Sequence, residues 1–434
     1  MKRFVNVLIM ITIILSLFCG CSAKESTNTE PSVLTVYVVQ FEALYRTAVE
    51  EFSKNNPDIE LNIEEFESYD EVSERFTTEL MSGKGPDVLL FNSLYGSADP
   101  YKLSTGQVLL TLDEQVGELS DEKYYSSIID SGKINGHQYF IPFSWNFLQA
   151  YSTVDTVEKK GYNDDLYTAL SAEAEALENN DNFCASSLQL GRAHAMNYFM
   201  QIAGNELIDI ETGKVVEAKE AIKTTADYVK VFYDNFEKIG AISDKYRNDF
   251  AGAVSHYTYL LENYPFLNNL RYYQSVYPNY ISEEMYFTPF SQRDSEDVTA
   301  QVIQYGAINA NSENAEGAWK LLQYIMDAQV TMNYSKYETQ NIYYAPVNVE
   351  TYEACVKELS SEKGPGPKQK VDPLNEENAR ILSEIPSRIS KSIIPNASLG
   401  EIIQECIEPY LLGTDSFDSC YEKLIQRVEL YLNE

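Results

Sequence analysis

The chain has 434 residues, which at roughly 100–200 residues per domain suggests two or three domains. Asp and Glu number 66 against 33 Lys and Arg, a net charge of −33, and a surface so acidic repels phosphate backbones and anionic lipid heads. Nucleic-acid binding and a polybasic membrane patch are therefore set aside, and so is disorder, because 44% of the residues are hydrophobic and 12% aromatic, enough for sizeable cores.

The first elements concern export. Lys2-Arg3 precede a mostly apolar run from Phe4 to Phe18, followed by Cys19-Gly20-Cys21. A positive flank, a short apolar stretch and a small residue before a cleavage point predict a secretory signal peptide over residues 1–20. A transmembrane anchor needs about 20 apolar residues; this run is shorter and holds Asn6 and Thr12. Residues 21–32 are polar and aperiodic, as in a flexible tether. Beyond the tether stand Cys184, Cys355, Cys406 and Cys420, too few for a disulfide scaffold. Cys406 and Cys420 are the nearest pair, and buried free thiols fit equally well. No C-x-x-C occurs, and His137, His194 and His256 are scattered, so neither a metal nor a cofactor is expected.

The body then alternates strands and helices. Val33 to Val39 is a β-branched run that predicts a buried strand. Leu44, Ala48, Val49 and Phe52 recur at helical spacing until Asn55-Asn56-Pro57 stops the helix. Ile59, Leu61 and Ile63 alternate as a second strand; Val72, Phe76 and Leu80 mark a second helix; Val88 to Phe91 is a third strand. This β-α-β-α-β order opens a parallel sheet with right-handed crossovers, in which ligands sit beyond the carboxyl ends of the strands. Those ends carry Gln40, Phe41 and Glu42, and then Asn92, Ser93 and Tyr95. Asn135-Gly136 signals a tight hairpin, and Tyr139 to Phe143 reads as an extended segment whose Pro142 directs the chain out of the first lobe. Further on come a hairpin-like Ile208 to Val216, a tyrosine-crowded part from Tyr257 to Tyr286, a strand over Val302 to Ala310, an amphipathic helix over Ala318 to Met326, and closing helices.

Five stretches in this order resemble the bacterial extracellular solute-binding proteins of family 1, the sugar-binding type that serves ABC importers. They are Ala48 to Pro57, Gly85-Pro86-Asp87-Val88, Gly132 to Pro142, Ala307 to Ser312 with Ala318 to Leu322, and Ala345-Pro346-Val347-Asn348. Phe18-Cys19-Gly20-Cys21 also resembles a lipobox, with Phe18 where Leu is usual, which would make Cys21 the lipid-bearing residue. The resemblance implies a periplasmic-binding-protein-like α/β fold of type II: two α/β lobes, a hinge and an interlobe ligand cleft. By that analogy lobe one takes residues 33–142 and 297–350, and lobe two takes 143–296 and 351–434. It also implies a lipid-anchored monomer on the extracellular face of the membrane, a mono- or oligosaccharide as solute, and ABC permease subunits as partners.

Candidate ligand contacts follow from chemistry and position. Trp145 lies just after Pro142, and an indole face can stack on a sugar ring; packing across the hinge is the alternative. Asn146 beside it would pair with hydroxyls. Glu42 could accept from two hydroxyls or stand as a solvated acid. Asn92 and Ser93 share a strand end, though Asn92 is equally suited to capping a turn. Tyr286 and Tyr305 are candidate cleft tyrosines, Asp87 is better suited to satisfying backbone donors, and Trp319 sits on an apolar helix stripe. Two other functions compete. A secreted glycoside hydrolase would use two carboxylates, and a surface binding or sensor lipoprotein would keep the fold without a transporter. No G-x-S-x-G and no phosphate-binding G-x-x-x-x-G-K-[ST] occurs, so a separate ATPase would power import.

Overall fold

The computed structural model describes residues 32–40, 43–93, 99–147, 149–153, 207–209, 212–235, 260–262, 274, 285–289, 297–328, 344–361 and 372–433. Strand β1 (Ser32–Val39) is buried along its second half, as its near-continuous apolar run demands. Helix α1 (Ala43–Asn55) turns Tyr45, Ala48, Val49 and Phe52 inward, and Asn56 closes it by donating from Nδ2 to Phe52 O at 3.0 Å. Strand β2 (Ile59–Phe66) pairs with β1 in parallel from Ser32↔Ile59 to Val39↔Phe66. Helix α2 (Tyr69–Met81) starts at Ser68, whose hydroxyl accepts from Glu71 N, and packs Val72, Phe76 and Leu80 on the sheet. Strand β3 (Val88–Asn92) is parallel to β1 and buried throughout. The expected β-α-β-α-β start is thus present.

Helix α3 (Pro100–Thr105) follows, capped by Asp99. The hairpin of β4 (Lys133–Ile134) and β5 (His137–Gln138) turns at Asn135 and Gly136, whose φ values of 53° and 79° are both positive, as a tight hairpin turn of this hand requires. Gln138 ties it down: its Nε2 donates to Ile129 O at 2.8 Å and Phe140 O at 2.6 Å, and its backbone N–H reaches Asp113 Oδ1 at 2.7 Å. Gly132 lies so close that an added Cβ would stand 1.9 Å from Phe140 O, a backbone atom with no rotamer to yield. Gly132→Ala is accordingly expected to destabilise the fold by about 1–3 kcal/mol, read as a lowered midpoint in urea unfolding.

Strand β6 (Ile141–Phe147) is buried at every position and stays in the main sheet past Pro142, the expected crossing. Pro142 is tolerated because it sits opposite Tyr305 at a register shift. The chain then enters β7 (Gln149–Thr153), the middle strand of a separate three-stranded sheet. After it come the hairpin of β8 (Ile208–Asp209) and β9 (Lys214–Val215), helix α4 (Lys219–Asp234), and β10 (Leu260–Glu262) and β11 (Met285–Pro289), both antiparallel to β7. Strand β12 (Val298–Ile308) returns to the main sheet, longer at its start than expected, and inserts antiparallel between β3 and β6. Helix α5 (Ala315–Ala328), strand β13 (Ala345–Pro346), helices α6 (Val349–Leu359) and α7 (Glu376–Arg388), strand β14 (Ile389–Ile393), and helices α8 (Ala397–Leu411) and α9 (Phe417–Asn433) complete the chain. The main sheet runs β13-β6-β12-β3-β1-β2, with β14 alongside the first part of β12.

The main core gathers residues from both ends of the chain, among them Phe76, Phe91, Trp145, Tyr305, Leu321 and Leu382. A second buried set, including Ile222, Val229, Ile403, Ile407, Leu424 and Val428, lies outside it on α4, α8 and α9, which pack on one another. The packing does not follow the boundaries of the analogy: Phe143, Trp145 and Phe147 of β6 and Phe287 of β11, expected in lobe two, belong to the main core. Tyr352, Leu359, Leu382, Ile385 and Ile389 of α6, α7 and β14 belong to the main core, so the expected boundary at Glu350 falls inside that packing unit. The change of unit comes later, between β14 and α8.

Cys355, Cys406 and Cys420 are free and buried, and burial pushes the Cys355 thiol up to about 12. All three are expected to resist maleimide in the native protein and to react once it is unfolded, as peptide mass spectrometry would report.

Candidate functional site

Strands β1, β2, β3 and β6 run the same way, so their carboxyl ends share one edge of the main sheet, while β12 runs against them. Across this edge runs a band of polar residues that is almost wholly shielded from solvent. Gln304 of β12 is paired with Asn92 on one side and Ser144 on the other, and Ser144 Oγ donates to Gln304 Oε1 at 2.9 Å. Exposure is 0% at Asn92, 1% at Ser144 and 2% at Gln304. Asn146 lies two residues beyond Ser144, on the same face by strand alternation. It is 3% exposed, and its amide oxygen finds no hydrogen-bond partner among the described residues. A buried acceptor left unmade costs about 1–3 kcal/mol, so this oxygen is a strong place for a donor arriving from outside. A hydroxyl or amide N–H of a small solute would supply one. Gln149, at the start of β7, extends the buried polar positions toward the second sheet.

The candidates named from sequence fare differently. Trp145 requires a correction, because it is 0% exposed. Its indole N–H donates to Pro346 O at 3.0 Å, one face stacks on Tyr352 at 5.6 Å and 20°, and Tyr125 meets it edge-on at 6.5 Å. No face is left for a sugar ring; Trp145 fastens β13 and α6 to β6. Ser93 is half-buried and already committed, its Oγ donating to Val302 O and its N–H to Ile303 O, both at 2.8 Å. Asn92 is inside the polar band rather than at an open strand end. Tyr305 is core, stacked on Phe91 at 5.0 Å, and Trp319 packs against the same core. Tyr286 lies in β11 opposite Ser152, with its side chain outside the described residues, as are Glu42, Tyr95 and Cys21. Ser144 and Gln304 were not anticipated. The signal available was a polar residue inside an otherwise apolar strand run, at Phe143-Ser144-Trp145 and Ile303-Gln304-Tyr305.

The stretches that carried the resemblance are struts. Asp87 accepts from Thr35 N at 2.8 Å and from Ser312 Oγ at 2.5 Å, binding the start of β3 to the turn after β12. Asn309 donates to Lys84 O at 3.1 Å and Pro86 O at 3.0 Å. Asn348 caps α6 by accepting from Thr351 N at 3.0 Å and donates to Asp327 Oδ1 at 3.3 Å, where Tyr124 and Lys123 also converge. These residues build the sheet whose edge carries the polar band.

A family model described as bacterial extracellular solute-binding protein matches residues 47–359. A sequence search of curated proteins finds no match. Solved structures share the fold at low identity. A sugar transporter from Rhizobium etli in an open conformation has a TM-score of 0.61 at 15% identity, covering 92% of this chain and 99% of that one. An ABC substrate-binding protein from Listeria monocytogenes in complex with cycloalternan gives 0.55 at 13%, covering 93% and 100%. A maltose-bound protein from T. maritima gives 0.53 at 16%, covering 92% and 100%.

Proposed function

The chain belongs to the bacterial extracellular solute-binding proteins, and from that premise we propose that it captures a mono- or oligosaccharide and hands it to an ABC import permease. The observation that carries the sugar reading is the buried polar band of Asn92, Gln304, Ser144 and Asn146, with an acceptor at Asn146 that has no partner among the described residues. Neutral polyols are recognised by hydrogen bonds in a dry, shaped site, and the band supplies amides and a hydroxyl with no charge among them. Cycloalternan and maltose in two structural relatives point the same way. On this reading the two packing units act as two lobes that close on the solute, because contacts to both exist only in the closed state. The protein binds without altering its solute, works as a monomer, and is held at the outer face of the membrane by lipid on Cys21. Two or three acyl chains, at about 0.8 kcal/mol per buried CH₂, are ample for that.

A thermal-shift panel of mono- and oligosaccharides, peptides and polyamines tests the solute class. A ligand at 100 times its Kd adds about 2.7 kcal/mol of stability, so a bound sugar raises the melting temperature by several degrees. A shift from peptides alone, with none from sugars, contradicts the proposal. For the anchor, Cys21→Ser is expected to move the protein from the membrane fraction to the medium; a variant that stays with the membrane rules the lipid on Cys21 out.

A further inference from the structure

We infer that Asp99, Asn396 and Tyr431 form a positioning clasp that holds the two packing units in register and thereby sets solute affinity without touching solute; the affinity half of this rests on the function proposed above. The Tyr431 hydroxyl lies 2.7 and 2.8 Å from the two carboxylate oxygens of Asp99, to which it donates. Asn396 Nδ2 donates to the Tyr431 hydroxyl at 2.7 Å and to Asp99 Oδ1 at 3.2 Å. Both partners are helix caps as well. Asp99 accepts from Tyr101 N at 3.0 Å and Lys102 N at 3.2 Å at the start of α3, and Asn396 accepts from Leu399 N at 3.0 Å at the start of α8. The short helix α3 reciprocates at the end of α9. Lys102 Nζ donates to Tyr431 O at 2.9 Å and lies 5.0 Å above the Tyr431 ring, and the Tyr101 hydroxyl donates to Leu432 O at 3.1 Å. Last-turn carbonyls have no partner within their own helix, and a cation there complements the helix dipole, so these contacts meet a real need of α9.

The placement gives the cluster its consequence. Leu103 of α3 is part of the main core, whereas Tyr431 is buried outside that core on α9, the helix that packs on α8. Asn396 stands on the short connection between β14 in the main sheet and α8 in the second unit. The clasp therefore bridges the two units where the chain passes from one to the other. On the main-sheet side, Asp99 belongs to the segment that follows β3, whose end carries Asn92 of the polar band. Burial and the Asp99 charge push the Tyr431 hydroxyl well above its usual range, so its proton is retained as donor. When such a bridge is lost, the units sample more relative positions, the binding-competent fraction falls, and the apparent Kd rises in inverse proportion.

Tyr431→Phe removes the hydroxyl and keeps the ring over which Lys102 lies. Spin labels carried on non-natural side chains at positions 60 and 401, both exposed and one on each unit, report the distance between units in the full chain without solute. The distribution is expected to broaden in Tyr431→Phe, and a distribution superimposable on that of the wild type overturns the clasp. Titration with maltose as the probe is then expected to show a three- to tenfold higher Kd at a temperature where both proteins are fully folded. A lowered melting temperature with unchanged Kd assigns the cluster to stability alone and overturns the affinity half. If maltose binds neither protein, the titration is repeated with the sugar that gives the largest thermal shift; if no sugar shifts the protein, the proposed sugar reading falls, and the distance measurement still decides the clasp. Lys102→Met, which keeps the hydroxyl pair and loses the bond to Tyr431 O, serves where Tyr431→Phe does not fold.

Discussion

Trp145→Ala lowers the unfolding free energy by about 3–5 kcal/mol, the usual cost of removing a fully enclosed large aromatic. The cost comes from three places. The ring gives up its stack on Tyr352 and its edge contact with Tyr125, Pro346 O loses its indole donor, and a cavity opens where β6, β13 and α6 meet. Trp145→Phe isolates the middle part: most of the apolar volume stays and the carbonyl is left unmet, for a loss of about 1–3 kcal/mol. Urea titration followed by circular dichroism measures both. Solute affinity of the folded Trp145→Phe protein should change less than threefold. A stacking platform would give the reverse pattern, with little loss of stability and a large loss of affinity.

Asn146→Leu is expected to move stability and binding in opposite directions. The amide oxygen of Asn146 is buried without a partner among the described residues, so an apolar side chain of similar size removes a standing penalty and should raise the unfolding free energy by about 1 kcal/mol or more. The same change removes the acceptor offered to solute, and an affinity loss of at least about tenfold, or 1.4 kcal/mol, is expected. Melting curves with and without sugar show both effects in one experiment: a higher midpoint alone and a smaller ligand-induced shift. A residue that merely filled space would show no loss of shift. A residue with a hidden structural partner would show a lower midpoint.

The two outcomes turn on a point of strand geometry that the sequence already contained. Trp145 and Asn146 are neighbours in β6, and successive side chains of a strand face opposite ways. They could not both address one solute, yet chemistry alone recommended both. What chose between them was tertiary: Pro346 and Tyr352, some two hundred residues on, enclose the indole. The start of the fold was legible because its signals are local. Helical spacing at Leu44 to Phe52, alternation at Ile59 to Ile63, and Asn135-Gly136 all correspond to observed elements. Asp87 was legible too, since a carboxylate before a buried strand has backbone donors to satisfy. Strand β14 was not. Ile389-Ser390-Lys391-Ser392-Ile393 is short and half polar, and only pairing with β12 makes it a strand. The polar band was hidden for a related reason, because Gln304 meets Asn92 and Ser144 only through the register of a strand that returns from far along the chain.

Titration calorimetry of the purified chain against a panel of neutral mono- and oligosaccharides, with Asn146→Leu run in parallel, tests the central claim most directly. The account predicts a saturable one-to-one isotherm, micromolar or tighter, for at least one sugar, which Asn146→Leu weakens at least about tenfold. No heat from any sugar, or a steady heat of turnover in place of saturation, would contradict it.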